Sequence, residues 1–141
     1  MPTVHTALHG ALILEPKVFA DERGFFLACF NQRAFDAAIG EAVTFVQDNH
    51  SDSQRGVLLG LHYQLPSHAQ GKLVRVARGS AFDMAVDIRR GSPTFGRWVG
   101  VTLDAAKHQQ MWIPAGFAHA FLALEDETHF LYSPPFWTGE G

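Results

Sequence analysis

Turn signals divide this chain at intervals of about eight to twelve residues, and this spacing constrains the fold more than any other feature. They are, in order, Gly10, Arg23-Gly24, Gly56, Pro66, Gly71, Gly79, Gly91-Ser92-Pro93, Gly100 and Pro114-Ala115-Gly116. The apolar segments between them are short and rich in Val, Phe, Ile and Leu, as is typical of strands. Within residues 82–88, Asp83 and Asp87 occupy one face and four apolar side chains the other. The pattern predicts an all-β sandwich or barrel.

Residues 31–39 are the best helix candidate in the sequence. Asn31 can cap the first turn with its side chain, and Gly40 can end the helix in a left-handed conformation. The apolar stripe between them consists of Ala34, Phe35, Ala38 and Ile39. We therefore expect a mostly β protein with one short helix near the N-terminus.

Composition limits the class of protein. A chain of 141 residues, 47% hydrophobic and 18% charged, fits a single domain over residues 1–141 with one buried core. The net charge of −3 gives no support for nucleic-acid or anionic-membrane binding. No apolar run approaches the roughly 18 residues that span a bilayer. Cys29 is the only cysteine, so no disulfide can form within the chain, and we expect a cytoplasmic protein.

His62 and Lys72 are the strongest candidates for chemistry. His62 lies within an apolar strand pattern, and Lys72 opens a second strand ten residues later. A base and a cation that point into one cavity can remove a proton beside a carbonyl and hold the enolate. Strict alternation would place His62 with Leu58 on one face and Leu59 on the other. Taken alone, His62 also fits a core histidine and Lys72 a solvated lysine.

Further candidates flank turns or strand ends. His119 lies among aromatic residues, and Tyr132 ends a strand from which it could donate a proton into a cavity. Arg23 could bind a phosphate, and Gln47 with Asn49 could read a base or sugar edge. Ordinary core packing and turn chemistry explain the same residues.

Metal ligation has weak support in the sequence. The chain has eight histidines, but it has no Cys pair and no His-x-His followed closely by Glu. We therefore predict no metal site.

Together these segments resemble the dTDP-4-dehydrorhamnose 3,5-epimerase family over nearly the whole chain up to Tyr132. The matching stretches are Glu15-Pro16-Lys17-Val18-Phe19, Asp21-Glu22-Arg23-Gly24-Phe25-Phe26, Phe45-Val46-Gln47-Asp48-Asn49-His50-Ser51, Gly60-Leu61-His62-Tyr63-Gln64, Gln70-Gly71-Lys72-Leu73-Val74-Arg75, Val86-Asp87-Ile88-Arg89, Ser92-Pro93-Thr94-Phe95-Gly96, Trp112-Ile113-Pro114, Gly116-Phe117-Ala118-His119 and Phe130-Leu131-Tyr132.

The resemblance implies a cupin-type β-barrel (jelly roll), a homodimer, and chemistry without metal or other cofactor. It implies inversion of dTDP-4-dehydro-6-deoxy-D-glucose at C3 and C5. In this family His62 would be the base, Lys72 would stabilise the enolate oxygen, and Tyr132 would return the proton from the opposite face. The positions that match substrate-binding residues are Arg23, Phe26, Gln47, Asp48, Asn49 and His119.

Three departures from the family pattern bear on activity. Ala28 replaces a usual Glu, and Leu59 replaces an Arg that helps to hold the diphosphate. The chain is also shorter at its C-terminus than is typical, where the family carries an aspartate that orients the base. Asp83 is the best internal substitute for that carboxylate, and Trp137 could stack on the thymine if one residue is deleted.

Two alternatives remain open at the level of sequence. One is an inactive or impaired cupin that binds a nucleotide sugar, which Ala28 and Leu59 favour. The other is a metal-dependent cupin.

Overall fold

The structure is a computed structural model that describes residues 3–5, 10–40, 49–62 and 71–133, with side-chain detail for 10–40, 49–59 and 71–132. These residues form twelve strands and one helix. In chain order they are β1 (Thr3–His5), β2 (Leu12–Leu14), β3 (Val18–Asp21), β4 (Gly24–Leu27), α1 (Gln32–Ile39), β5 (Asn49–Ser53), β6 (Leu58–His62), β7 (Lys72–Arg78), β8 (Ser80–Asp87), β9 (Trp98–Asp104), β10 (Gln110–Ile113), β11 (Phe117–Ala123) and β12 (Thr128–Ser133). The predicted all-β architecture with one short helix is confirmed for the described residues.

Two antiparallel sheets face each other across one core. The six-stranded sheet has the order β1-β2-β10-β7-β12-β5, and the four-stranded sheet has the order β6-β11-β8-β9. Val74, Met111 and Phe130 from the first sheet pack with Ala85 and Phe121 from the second, and all five are buried. We call the core-facing side of each sheet its inner face. Strand alternation fixes which residues share that face.

Helix α1 covers the outer face of the six-stranded sheet. Asn31 caps it by accepting a hydrogen bond from the backbone N–H of Ala34 (3.0 Å), and Gly40 ends it with φ of 80°. Phe35 is fully buried, and its ring meets that of Trp112 edge-on at 5.3 Å between centroids. The predicted helix is therefore confirmed, and it does not take part in the inner face. No helix among the described residues is long and apolar enough to cross a membrane.

Strand β8 buries the polar side of its alternating pattern. Asp83 and Asp87 are fully buried, together with Ala81 and Ala85, whereas Phe82 and its apolar neighbours on the other face are only half-buried. A strand with one apolar and one acidic face would ordinarily turn the apolar face inward. Here the two carboxylates project from the inner face, so two acidic side chains are buried inside the barrel.

Asp87 anchors the loop between β8 and β9. Its carboxylate accepts hydrogen bonds from the Arg89 guanidinium (3.0 and 3.1 Å), from the Ser92 hydroxyl (2.6 Å) and from the Thr94 hydroxyl. The Arg89 guanidinium holds the pKa of Asp87 well below its usual value, although burial acts in the opposite direction. This buried charge therefore fixes the loop by a fully bonded network.

Gly100 is not a turn, contrary to the sequence prediction. It lies inside β9, where the rings of Phe82 and Trp98 pack against the position that a Cβ atom would occupy. A glycine in a strand interior often marks such a close approach rather than a chain reversal. Gly71 lies immediately before β7, where the Trp112 indole occupies the space that a Cβ atom would need.

Strands β3 and β4 form a separate hairpin. Phe25 and Leu27 line a cavity together with Arg75 and Ala77, which belong to the outer face of β7. Phe19 and Phe26 lie directly opposite each other on the hairpin, and 57% and 70% of their surfaces are exposed. The hairpin therefore lies on the outside of the six-stranded sheet.

Candidate active site

Lys72 and Tyr132 come together on the inner face of the six-stranded sheet. Tyr132 on β12 lies opposite Val74 on β7, and alternation places Lys72 on the same face as Val74. The Lys72 Nζ atom is 5.4 Å from the centroid of the Tyr132 ring, within range of a cation–π contact. Asn49 lies opposite Tyr132 on the other side, on β5. Three of the predicted site residues thus form one row across three neighbouring strands.

The charge of Lys72 is set by two opposed effects. Burial lowers the pKa of Lys72 from its ordinary value of 10.5, and the negative charge of Asp83 raises it again in part. Asp83 belongs to β8 in the opposite sheet. A carboxylate facing Lys72 across the interior helps to keep the ammonium protonated, which is the form that can stabilise an enolate oxygen.

Asp83 is also the partner of His119. The two residues lie on neighbouring strands β8 and β11, and one carboxylate oxygen of Asp83 contacts Nε2 of His119. Both side chains are buried. The contact leaves Nδ1 as the ring nitrogen of His119 that can meet a ligand. The other Asp83 oxygen, Oδ2, is buried and has no hydrogen-bond partner among the described residues.

Phe130 packs against one side of the His119 ring, although no sequence pattern marked it as a site residue. The two rings are nearly parallel with 5.8 Å between their centroids, and the Phe121 ring stacks on Phe130 at 4.2 Å and lies 6.5 Å from the His119 ring. Stacking and the Asp83 contact together fix the plane and rotation of the imidazole. The available signal was spacing, because Phe130 is two residues before Tyr132 and must share its face of the strand.

His62 lies opposite His119 in the strand register between β6 and β11. Its side chain lies outside the described part of the structure, so its role as the base stays a prediction. The same holds for the suggestion that Asp83 orients it, since Asp83 Oδ1 contacts His119 instead.

A bulge in β6 corrects the predicted alternation around His62. Leu59 lies opposite Phe121 and His62 opposite His119, so three residue steps along β6 match two along β11 and β6 carries one extra residue. Directly opposed residues of an antiparallel pair share a face, and Phe121 and His119 both belong to the inner face. Leu59 is therefore on the cavity side, 41% exposed, and not on the face opposite His62.

Arg23 and Phe26 are not brought to this site within one chain. Arg23 forms an ion pair with Asp21 at 2.7 Å and its side chain is 91% exposed at the tip of the β3–β4 hairpin. The hairpin lies against the outer face of the sheet whose inner face carries Lys72. Three other predicted residues, Gln47, Asp48 and Trp137, lie outside the described residues.

In the described ranges, no group of three or more His, Cys, Asp or Glu side chains is arranged to hold a metal ion.

The candidate site consists of Lys72, Tyr132, Asn49 and the His119–Asp83 pair, with the backbone of His62 beside His119.

Comparisons with known proteins agree with this arrangement. The family model described as dTDP-4-dehydrorhamnose 3,5-epimerase matches residues 5–136. The chain is 60% identical over 132 residues to a protein of that name from Shigella flexneri, covering 94% of this chain and 73% of the relative. It is 57% identical over 141 residues to the Pseudomonas aeruginosa protein of the same name, covering 99% and 77% of the two chains.

A solved structure from Legionella pneumophila superposes with a TM-score of 0.93 at 48% identity, covering 99% of this chain and 74% of that one. It is a dTDP-6-deoxy-D-glucose-3,5-epimerase in complex with dTDP-4-keto-L-rhamnose. The facing antiparallel sheets and this likeness define a cupin-type β-barrel enzyme. More specifically, the chain belongs to the dTDP-4-dehydrorhamnose 3,5-epimerase family.

Proposed function

We propose that this protein epimerises dTDP-4-dehydro-6-deoxy-D-glucose at C3 and C5 and thereby forms dTDP-4-dehydro-L-rhamnose. The observation that carries the proposal is the row formed by Lys72, Tyr132 and Asn49, facing the His119–Asp83 pair across the interior. Family membership supplies the substrate class.

In this reaction His62 takes the proton from the carbon next to the C4 ketone. The electron pair of the broken C–H bond moves to the C4 oxygen, and the Lys72 ammonium stabilises the enolate that forms. Tyr132 gives its hydroxyl proton to the same carbon from the opposite face, so the configuration inverts. Solvent then removes the proton from His62 and restores the one on Tyr132, so the steps balance without a redox change.

Asn49, His119 and the polar residues before Asn49 would hold the sugar and nucleotide. His119 suits this role because its imidazole is fixed by Asp83 and Phe130 and has one nitrogen left for a ligand. Leu59 and Ala28 are expected to lower the affinity for the diphosphate and the nucleotide, since neither side chain can form a charge-assisted hydrogen bond.

Solvent exchange tests the proposal. The purified protein is incubated with the keto sugar in D₂O, and deuterium is followed at C3 and C5 by NMR, with His62→Ala as the control. Incorporation at both carbons supports the double epimerase, and incorporation at C3 alone restricts the activity to that carbon. Binding of the dTDP-sugar without any exchange would identify an inactive paralogue.

We further propose that the working unit is a homodimer in which the β3–β4 hairpin serves the neighbouring protomer. The support is the position of Arg23 and Phe26, which are exposed and lie on the outer side of the sheet that carries Lys72. From there they can contribute to a substrate site only if that site belongs to a second copy. The exposed ring of Phe26 also gives the hairpin an apolar surface to bury.

Mixing two impaired variants tests this arrangement. Arg23→Ala and Lys72→Met are expected to be impaired alone, and a mixed dimer contains one intact site if the hairpin acts in trans. Activity recovered after mixing and subunit exchange therefore supports the proposal. A dimer that gains no activity on mixing, or a monomeric active protein, contradicts it.

We propose a cytoplasmic location, because a chain with a single cysteine and no internal disulfide suits a reducing compartment. Recovery of the protein mainly in a secreted or periplasmic fraction would contradict this.

A further inference from the structure

Within the described residues, the β3–β4 hairpin is weakly attached to the rest of its own protomer. It forms a two-stranded sheet of its own, and none of the residues of its two strands is buried. A cavity of about 430 Å³ lies between the hairpin and the outer face of β7, so the hairpin does not pack directly on the sheet there. Hydrophobic burial therefore does little to fix its position.

The chain segment 108–110 contacts the second half of this hairpin at two points. The His108 ring lies 4.6 Å from the Phe25 ring, measured between centroids, at an interplanar angle of 54°. Gln110 donates a hydrogen bond of 2.7 Å from Nε2 to the backbone oxygen of Cys29, two residues after β4. The Gln110 bond thus holds the base of the hairpin, and the His108 contact holds a point nearer its turn.

The backbone of His108 is unusual. Its φ of 57° lies in the left-handed region, which only one other non-glycine residue of the described part of the chain enters. Histidine enters this region more readily than most residues, but such a conformation persists only where the surroundings determine it. The preceding turn is anchored by Asp104, whose carboxylate accepts a hydrogen bond of 2.9 Å from the backbone N–H of Lys107. The anchored turn and this backbone conformation bring the imidazole against the hairpin.

Phe25 and Phe26 project from opposite faces of the hairpin, because neighbouring residues of a strand alternate. Phe25 lines the cavity over β7 and so faces its own protomer, whereas Phe26 is on the other face and is 70% exposed. Arg23 is exposed at the turn between the two strands. A contact that fixes Phe25 on one face therefore sets the direction of Phe26 and Arg23 on the other.

We propose that His108 is a positioning residue, which acts through Phe25 to hold the hairpin where Arg23 and Phe26 reach the substrate of the neighbouring protomer. The inference rests on the proposed function, in which the hairpin acts in trans. His108 acts on substrate binding and not on the proton transfers. Its loss should therefore raise KM and leave kcat close to that of the wild type.

Substitution of the two rings tests the contact. His108→Asn removes the imidazole and keeps a residue that tolerates a positive φ. Its KM for the dTDP-sugar is expected to rise about twofold to tenfold, as for loss of one aromatic pair. Phe25→Leu should have a similar effect, and the double variant should be no worse than either single one, because both remove the same contact.

Lys107→Gln is the matched control. Lys107 is an exposed residue of the same turn, and it does not line the cavity beneath the hairpin. This substitution should leave KM unchanged.

Subunit mixing shows through which protomer His108 acts. In a mixed dimer of His108→Asn and Lys72→Met, one site combines an intact Lys72 with a correctly held hairpin. A fraction of the activity should therefore show the wild-type KM. A mixture of His108→Asn and Arg23→Ala contains no such site, so its KM should stay raised.

Amide hydrogen exchange of the full chain without substrate separates this inference from the proposed function. In His108→Asn, the amides of residues 18–27 should exchange faster than in the wild type, while those of β7 and β12 should not change. A wild-type protein that does not epimerise the keto sugar contradicts the proposed function, and amide exchange still tests whether His108 anchors the hairpin. Unchanged amide exchange in residues 18–27, or an unchanged KM in an active His108→Asn protein, overturns the inference.

Discussion

Asp83 on β8 contacts Nε2 of His119 on β11, and both side chains are buried inside the barrel. The same carboxylate raises the pKa of Lys72 from the opposite sheet. One buried acid therefore serves two groups of the proposed site, by fixing one ring and by keeping one ammonium charged.

This double role predicts a coupled loss of stability. His119→Phe leaves the Asp83 carboxylate buried without its partner, which should lower the free energy of unfolding by about 1–3 kcal/mol. The double variant His119→Phe/Asp83→Leu removes both polar partners and should recover part of that loss. Urea denaturation of the wild type, His119→Phe, Asp83→Leu and the double variant gives the coupling energy between the two residues. Additive effects of the two substitutions would argue against a direct interaction.

Deprotonation of Lys72 should cause the fall of activity at high pH, which is the alkaline limb of the pH profile. The reaction needs the protonated ammonium, and burial lowers the pKa of Lys72, so kcat/KM should fall with rising pH below the ordinary lysine value of 10.5. Asp83→Asn removes the charge that raises this pKa, so the limb should move to lower pH. Lys72→Arg keeps a cation that does not titrate in this range, and any residual activity should lose the limb. If the alkaline limb stays at the same pH in both variants, the titrating group is not Lys72.

Replacement of Leu59 by arginine should raise the affinity for the substrate. Leu59 is partly exposed on the cavity side of β6, where an arginine could reach the diphosphate. Leu59→Arg should lower the KM for the dTDP-sugar by about tenfold to a hundredfold, as a charge-assisted contact forms.

Leu58→Arg is the matched control for this prediction. Leu58 is 61% exposed and lies opposite Leu122, on the adjacent register position of the same strand. The same charge placed there should leave KM unchanged. Equal effects of the two substitutions would indicate general electrostatic attraction rather than a contact at Leu59.

Protonation of Asp87 in acid should destabilise the fold. The pKa of Asp87 is held below the ordinary value of 3.8, so its stabilisation is fully present above that pH and is lost as pH falls through the folded-state pKa. Asp87→Asn should lower the free energy of unfolding near neutral pH by about 1.5–3 kcal/mol and flatten its fall in acid. Denaturant titrations between neutral and acid pH measure both. Asp21→Asn, an exposed aspartate also paired with an arginine, should change little.

The sequence by itself determined the strand-rich architecture and helix α1, because period-two patterns, glycine turns and an Asn31 cap are local signals. It also placed Lys72 and Tyr132 correctly on strands, and alternation from Tyr132 could have found Phe130. These properties depend on neighbours only a few residues away.

Only the tertiary structure decided which face each strand buries and which side chains meet. The acidic face of β8 is buried because Asp83 and Asp87 find partners on β11 and in the following loop. The bulge in β6 depends on pairing with β11, and it reverses the predicted position of Leu59. The hairpin that carries Arg23 lies outside the sheet that carries Lys72. Each of these outcomes is set by contacts between residues distant in sequence, which no local pattern encodes.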